Sequence, residues 1–133
     1  MKAMVWNCRG LGGPFTVYQI KDSRRIHHPN IVFLSETKKP MKFAKTVCRK
    51  LGYQDRWHLE SPNGTRGGLL LLWDNLIEIK QIVGNEFFLQ VELKGVGISD
   101  WGWFIFAYLI TDRRERRRQW EFLEDSKGKW GNS

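Results

Sequence analysis

Cysteine, histidine and acidic side chains are scarce in this sequence. Its 133 residues include two cysteines, three histidines and 14 acidic residues. Cys8 and Cys48 are too few for a disulfide framework and have no metal-ligand spacing, which excludes a disulfide-stapled secreted fold and a zinc module. We expect two buried or half-buried thiols in a reducing compartment, with no disulfide-linked partner.

Long apolar runs are also missing. No stretch approaches the roughly 18 consecutive apolar residues that a membrane span needs, and the apolar run near the N-terminus is too short for a secretory signal. We therefore expect an intracellular protein, nuclear or cytoplasmic, with no membrane partner. Because repeats and low-complexity linkers are absent too, residues 1–133 are expected to form a single domain.

Positive charge is abundant. Lysine and arginine number 22, which gives a formal net charge of +8 and a pI near 9.8. Such an excess favours polyanionic partners, and the backbone of DNA or RNA is the commonest of these. Apolar residues make up 41% of the chain and seven are tryptophans, so a packed core is expected and general disorder is excluded.

The first half of the chain alternates short apolar runs with helical patterns. Apolar runs at 2–7 and 31–35 predict buried strands. Pro14 can open a helix that ends near Ile26, before the "HHPN" loop, and a second helix is expected from about Met41 to Leu51, with Gly52 as its C-terminal cap.

The second half reads as strands. "LLLLW" at 69–73 is a continuous apolar run, and "GNE" at 84–86 separates two alternating segments as a hairpin turn would. "WGWFIFAYLI" at 101–110 is apolar on both faces, which predicts a central strand covered on each side. The whole pattern predicts an α/β (α+β) sandwich, with helices packed outside a sheet layer.

Three polar residues follow apolar strands. Asn7 ends the first run, Glu36 follows the second, and Tyr108 lies near the end of the last. Polar groups at the rim of a sheet with one carboxylate make a plausible Mg²⁺ site, since this cation takes oxygen ligands and completes its shell with water and phosphate. Each residue also has a structural explanation: Asn7 could satisfy loop backbone, Glu36 could pair with a neighbouring lysine, and Tyr108 could be an ordinary strand aromatic.

Four motifs, "VWNCRGLGGP", "PNIVFLSETK", "NGTRGGLLLLW" and the segment from Tyr108 to Trp120, resemble successive motifs of the endonuclease/exonuclease/phosphatase family. More narrowly, they are similar to the endonuclease domain of plant LINE-type, non-LTR retrotransposons. The resemblance implies the N-terminal half of a four-layer α/β sandwich of mixed sheets, which hydrolyses phosphodiesters with a divalent metal.

The resemblance also implies roles for individual residues. It implies that Glu36 binds Mg²⁺ or Mn²⁺ and that Asn7 lies in the phosphate region next to the metal. Tyr108 would donate a hydrogen bond to the scissile phosphate. Arg116 falls at the family's arginine after that tyrosine. Together with Lys38 and Arg66, Arg116 is expected to contact nucleic acid.

The sequence departs from the family in two ways. Thr111 stands where the family usually has proline, and the later Gly-Asp-Phe-Asn and Ser-Asp-His motifs are not in this sequence. Those motifs supply the aspartate that positions the attacking water and the catalytic histidine. We therefore expect a truncated domain that is inactive as an isolated chain.

Five arginines lie within residues 113–118. Residues 112–124 can form a helix, with Asp112 and Glu115 as a capping box. The run could be a solvated basic face, a phosphate-gripping edge beside Tyr108, or a nuclear address, which a folded helix disfavours. Three functions follow: a retroelement-derived phosphodiesterase domain, a non-catalytic nucleic-acid-binding module, or an expressed fragment without an evolved role.

Overall fold

The computed structural model describes residues 1–13, 15–61, 67–95, 97 and 100–107, together with the backbone of 120–124. Strands and helices alternate at first and strands follow, as the sequence predicts. The elements are β1 (Lys2–Asn7), α1 (Thr16–His27), β2 (Ile31–Ser35), α2 (Met41–Lys50), β3 (Trp57–Glu60), β4 (Leu69–Trp73), β5 (Glu78–Gly84), β6 (Phe88–Lys94), β7 (Gly102–Ala107) and β8 (Trp120–Glu124).

The first sheet has five strands in the order β3-β4-β2-β1-β8. β1 and β2 are parallel, because α1 carries the chain back between them. The other neighbouring pairs in this sheet are antiparallel. Asn7 pairs with Ser35, so β1 and β2 end at the same edge of the sheet.

The second sheet has the order β5-β6-β7, with both pairs antiparallel. Its first hairpin turns at Asn85, where the sequence predicts a turn. The Asn85 side-chain oxygen accepts the backbone N–H groups of Phe87 and Phe88, at 2.8 and 3.0 Å. An asparagine that hydrogen-bonds the backbone two residues on is a common way to hold such a turn.

The core has two layers, one on each face of the first sheet. All five residues of β2 are buried because both faces are covered. Val32 and Leu34 belong to the layer that includes residues of α1 and α2. Ile31 and Phe33 belong to the layer shared with the second sheet, where Phe33 packs against Phe106 with ring centroids 5.6 Å apart. The described chain is therefore a sandwich of helices, sheet and sheet.

Both helices end close to the predicted positions. α1 ends at His27, and His28 follows in the left-handed conformation with its N–H bonded to the carbonyl of Arg24. Gly52, at φ +85°, lies just past the end of α2, where a glycine adopts positive φ at little cost. Neither helix in the described part of the chain is long and apolar enough to cross a membrane.

The prediction that residues 101–110 form a central strand covered on both faces is wrong for the described part of that segment. β7 pairs with β6 and forms the end of the second sheet as described. Phe104 and Phe106 are buried between the sheets, but Trp103 and Ile105 on the opposite face are 39% and 61% exposed. The continuous apolar sequence of β7 therefore includes side chains on a partly exposed outer face of the second sheet, as far as the described residues show.

The prediction of a helix over residues 112–124 is wrong at its C-terminal end. Trp120–Glu124 form β8, which pairs antiparallel with β1 from Trp6↔Trp120 to Lys2↔Glu124. The free backbone edge of β1 provides hydrogen bonds that a local helical pattern cannot reveal, and sheet pairing overrides that weak preference. The rest of the predicted helix, 112–119, lies outside the described residues.

Candidate phosphate and metal site

Three loops meet at the edge where β1 and β2 end. We call this edge the carboxyl edge and define it by residues 7–13, 36–40 and 67–68. The first two loops leave the parallel strands β1 and β2, and the third enters the antiparallel strand β4, whose Leu69 pairs with Ser35. In α/β folds, ligands bind in the crevice beyond the carboxyl ends of parallel strands.

The loops after β1 and β2 are joined by a ladder of backbone hydrogen bonds. Gly10 N–H donates to the Glu36 carbonyl at 2.6 Å, and Leu11 N–H donates to the Thr37 carbonyl at 2.8 Å. Cys8 begins this ladder with a 3.0 Å bond from its N–H to the Ser35 carbonyl. The parallel pairing of β1 and β2 thus continues into the loops, and the backbone at Glu36 is fixed.

The loop after β2 is also bonded to the glycine pair before β4. Thr37 N–H donates to the Gly68 carbonyl at 3.2 Å, and Lys38 N–H donates to the Gly67 carbonyl at 2.8 Å. Both glycines have positive φ, at +72° and +97°. The "RGG" motif is a weak family signal by itself. Its two glycines have a structural role, because their carbonyls accept hydrogen bonds from the loop that contains Glu36.

Backbone conformations of high energy concentrate at the carboxyl edge. Arg9, Glu36 and Lys38 have φ of 48°, 53° and 58°, in the left-handed region that residues with a Cβ avoid. Each costs on the order of 1 kcal/mol relative to an ordinary conformation. Such residues gather at functional sites, where the surrounding structure holds them in place.

Asn7 and Glu36, both half-buried, reach this edge together, as the sequence predicted from their strand-end positions. The Asn7 side-chain oxygen accepts the Arg9 backbone N–H at 3.2 Å. Asn7 therefore satisfies loop backbone, which was the alternative explanation for it. That bond uses one acceptor site and neither of the amide N–H donors, so it is compatible with a contact to an anion.

Three cationic side chains, Arg9, Lys38 and Lys39, belong to the same loops. Arg9 and Lys38 are exposed. Lys39 lies across the glycine loop, because a methyl group at Gly12 would come within 2.5 Å of the Lys39 Cε. The Lys39 ammonium lies 5.1 Å from the ring centroid of Phe43, a cation–π distance that orients it.

Two buried polar side chains lie beneath the edge. The Cys8 thiol donates to the Ser35 carbonyl at 3.1 Å, and burial raises the pKa of Cys8 to about 12, so it is a neutral packing group and not a nucleophile. The Thr37 hydroxyl is fully buried and has no hydrogen-bond partner among the described residues. Sequence reasoning did not select Thr37, whose only signal was its place directly after Glu36.

The sequence matches no protein-family model and no curated protein. Solved structures do match. The AP endonuclease from Archaeoglobus fulgidus has a TM-score of 0.58 at 15% identity, over 81% of this chain and 40% of that one. For the 3'-5' exonuclease NExo from Neisseria meningitidis the TM-score is 0.59 at 16% identity, over 90% and 48%. For TDP2 from C. elegans it is 0.54 at 18% identity, over 89% and 38%.

This is the endonuclease/exonuclease/phosphatase fold. The chain spans 40% and 48% of the length of the first two solved proteins, so it corresponds to less than half of each. A second structure of NExo also matches, with a TM-score of 0.53 at 18% identity. In that structure NExo is described as a 3' phosphatase and is bound to a product DNA hairpin.

The residues at the carboxyl edge fit a divalent cation in a limited way. The described residues contain no group of three or more histidine, cysteine or acidic side chains that could hold a metal ion. Mg²⁺, however, is often bound by one or two carboxylates and completes its shell with substrate phosphate and water. Glu36 can supply that carboxylate, and the hydroxyl of the following residue, Thr37, is buried and has no hydrogen-bond partner among the described residues.

Three of the predicted site residues, Tyr108, Arg116 and Arg66, lie outside the described residues. The structure brings Asn7, Glu36 and Lys38 together at one edge. It adds Arg9, Lys39 and Thr37, which the motifs did not single out.

Proposed function

We propose that this chain is a metal-dependent phosphodiesterase domain that acts on the backbone of DNA or RNA at the carboxyl edge. The observation that carries the proposal is the convergence of Asn7 and Glu36 at the ends of the parallel strands β1 and β2. The fold supports it, because the solved structures of the same fold include an AP endonuclease and an exonuclease. The four motifs support a finer proposal, an origin in the endonuclease of plant non-LTR retrotransposons.

The chemistry follows from the groups at this edge. Mg²⁺ or Mn²⁺ held by Glu36 would supply a Lewis acid that polarises a phosphoryl oxygen. Asn7 can donate an N–H to a neighbouring phosphate oxygen, and Lys38 adds positive charge beside it. We propose that Tyr108 donates a hydrogen bond to the scissile phosphate. Arg116 and Arg66 are proposed to contact flanking phosphates.

Positive charge determines what the edge can bind. The two loops at this edge carry three cationic residues besides Glu36: Arg9 after β1, and Lys38 and Lys39 after β2. With a single carboxylate, the edge attracts a divalent cation weakly by itself and attracts phosphate more strongly. We therefore expect cation and nucleic acid to strengthen each other's binding, because the phosphate contributes ligands that the chain lacks.

The isolated chain is expected to have little or no hydrolytic activity. In the family that the motifs resemble, an aspartate positions the attacking water and a histidine completes the pair, and neither motif is in this sequence. Loss of a general acid or base typically lowers the rate about 10²- to 10⁴-fold. Without hydrolysis the same edge would serve a second function, non-catalytic nucleic-acid binding, which the net charge of +8 favours.

Supercoiled plasmid incubated with the purified protein and Mg²⁺ or Mn²⁺ tests the proposal. Slow nicking that requires the cation and is lost in Glu36→Gln, but not in the exposed control Glu78→Gln, supports the phosphodiesterase. DNA binding that Ca²⁺ strengthens in the wild type but not in Glu36→Gln, without nicking, supports the binding module. If divalent cations affect neither nicking nor binding, the site is misplaced.

A further inference from the structure

A second surface lies along α1 and uses none of the side chains named for the carboxyl edge. A cavity of about 750 Å³ runs beside this helix, from Tyr18 in its first turn to His28 just past its last residue. α1 starts at the carboxyl edge and runs back along the sheet, so the far end of the cavity lies about 18 Å from that edge, given a rise of 1.5 Å per residue. The cavity's lining includes Tyr18, Lys21, Arg24, Arg25, His28 and Asp74, and we call it the α1 groove.

An exposed aromatic stripe connects this groove with the carboxyl edge. Phe15 and Tyr18 are three residues apart, hence on one side of α1, and are 71% and 68% exposed. Phe15 directly precedes the helix, where the Thr16 N–H bonds to the Gly13 carbonyl of the carboxyl-edge loop. Two exposed aromatic rings on a solvated helix need an explanation that core packing does not give, because neither is part of either core layer.

The carboxylates of the groove already have partners. Asp22 forms an ion pair with Arg25 at 2.8 Å. Asp74 accepts the Asn30 side-chain N–H and the Leu76 backbone N–H, both at 2.9 Å. Among the described residues neither aspartate forms an ion pair with Lys21 or Arg24, although the Asp74 carboxylate, bonded to neutral N–H donors, keeps its negative charge in the groove.

Two cations of the groove, Lys21 and Arg24, have no carboxylate partner among the described residues. Arg24 is held in place, since its guanidinium carbon lies 4.6 Å from the centroid of the buried Tyr53 ring. A cation fixed in this way loses little side-chain entropy when an anion binds. The helix end itself presents carbonyls and not N–H groups, so an anion would contact these side chains and not the helix terminus.

We propose that the α1 groove binds single-stranded nucleic acid, with a base stacked on Tyr18 and a phosphate paired with Lys21 and Arg24. Exposed aromatic rings next to cations are how proteins hold unstacked strands, since every base has a face that can stack. A duplex keeps its bases stacked and offers none to Tyr18. The cavity volume of about 750 Å³ is within the range of small-molecule sites and accommodates a nucleotide. The inference rests on the proposed nucleic-acid partner but not on hydrolysis.

Fluorescence anisotropy with a labelled oligothymidylate of about 12 nucleotides tests this proposal. Tyr18→Ala should weaken binding about 10-fold, and Tyr18→Phe should retain it, because a stacked base contributes on the order of 1–3 kcal/mol. Lys21→Ala should weaken binding more than Lys45→Ala, which removes the same charge from an exposed position on α2. A duplex of equal length should respond alike to Lys21→Ala and Lys45→Ala and be insensitive to Tyr18→Ala.

The outcomes separate this site from the carboxyl edge. Single-strand binding that depends on Tyr18 and persists in Glu36→Gln supports the groove, even if no variant hydrolyses DNA. Ultraviolet cross-linking of a 4-thiouridine oligonucleotide should map to the peptide that contains Tyr18. Equal loss for single strand and duplex, or equal competition by polyglutamate, would mean that only net charge is recognised and would overturn the proposal, as would an unchanged affinity in Tyr18→Ala.

Discussion

The backbone N–H of Gly10 donates a 2.6 Å hydrogen bond to the carbonyl of Glu36, which couples the loops after two parallel strands. Glu36 is consequently held at φ 53°, a conformation that a glutamate does not adopt by preference. The carboxylate proposed to hold the metal is therefore positioned by backbone bonds on both sides of its loop. Four predictions address this edge, the buried thiols and the sheet.

Replacement of Lys38 by glycine should stabilise the fold while it weakens nucleic-acid binding. Lys38 has φ of 58°, and glycine adopts this region without the Cβ clash, so we expect a net gain of about 0.5–1 kcal/mol in the free energy of unfolding. Lys45→Gly, in the middle of α2, is the matched control and should lose about 1 kcal/mol. Denaturant unfolding of both variants is the measurement, and an equal loss in both would contradict strain at Lys38.

Binding of duplex DNA should be electrostatic and strongly dependent on salt. The slope of log affinity against log salt is about −0.9 per phosphate contacted, and removal of one contacting cation should reduce its magnitude by about that amount. We expect this reduction for Arg9→Ala and Lys38→Ala, and a smaller one for Lys45→Ala on the helix. Titrations from low to physiological salt give the slopes, and identical slopes for the three variants would show that no particular edge is contacted.

Stability should fall at alkaline pH because buried protonated groups resist ionisation. Burial raises the pKa of Cys8 and Cys48 from 9.0 to about 12, and burial also raises the pKa of Tyr53 from 10.0 to about 12. Below pH 9 both states hold these protons, and between pH 9 and 12 the unfolded chain releases them first. Each thiol then lowers stability by about 1.4 kcal/mol per pH unit in that window.

Denaturant midpoints measured from pH 8 to 11 check the alkaline prediction. Cys8→Ala and Cys48→Ala should each flatten the decline, although both lower stability at neutral pH by removing packed atoms. Native thiols should also react slowly with iodoacetamide at pH 8. Rapid alkylation of the folded protein would mean that one of the thiols is accessible.

Proline substitutions in β8 distinguish a strand from the helix that the sequence suggested. Within the described residues β8 has one neighbouring strand, β1, and alternate N–H groups of such a strand face that neighbour. One of Glu121→Pro and Phe122→Pro should therefore be tolerated, and the other should destabilise the fold. A helix would be disrupted by both. Thermal melts, together with hydrogen exchange at Met4 and Val5, which pair with these two residues, give the answer. Similar large losses in both variants would contradict the strand.

The sequence by itself determined the strand–helix–strand–helix order of the first half, and it placed Asn7 and Glu36 at the carboxyl edge. Apolar runs bounded by glycine and polar residues located β1, β2 and β4 within a residue, because a buried strand requires continuous apolar side chains. The polar residue after each parallel strand then had to lie at a shared edge, which brought Asn7 and Glu36 together. The "GNE" turn was equally local, since one asparagine side chain holds it.

Only the tertiary structure decided the features that depend on pairing and on what covers each surface. The strand β8 exists because β1 offers a free edge far away in sequence, and no periodicity within 120–124 encodes that partner. The exposure of Trp103 and Ile105 depends on whether another layer lies over the second sheet, a fact that the apolar sequence of β7 does not contain. The left-handed backbone of Arg9, Glu36 and Lys38 likewise arises from hydrogen bonds between three loops, because each of these residues prefers another conformation when alone.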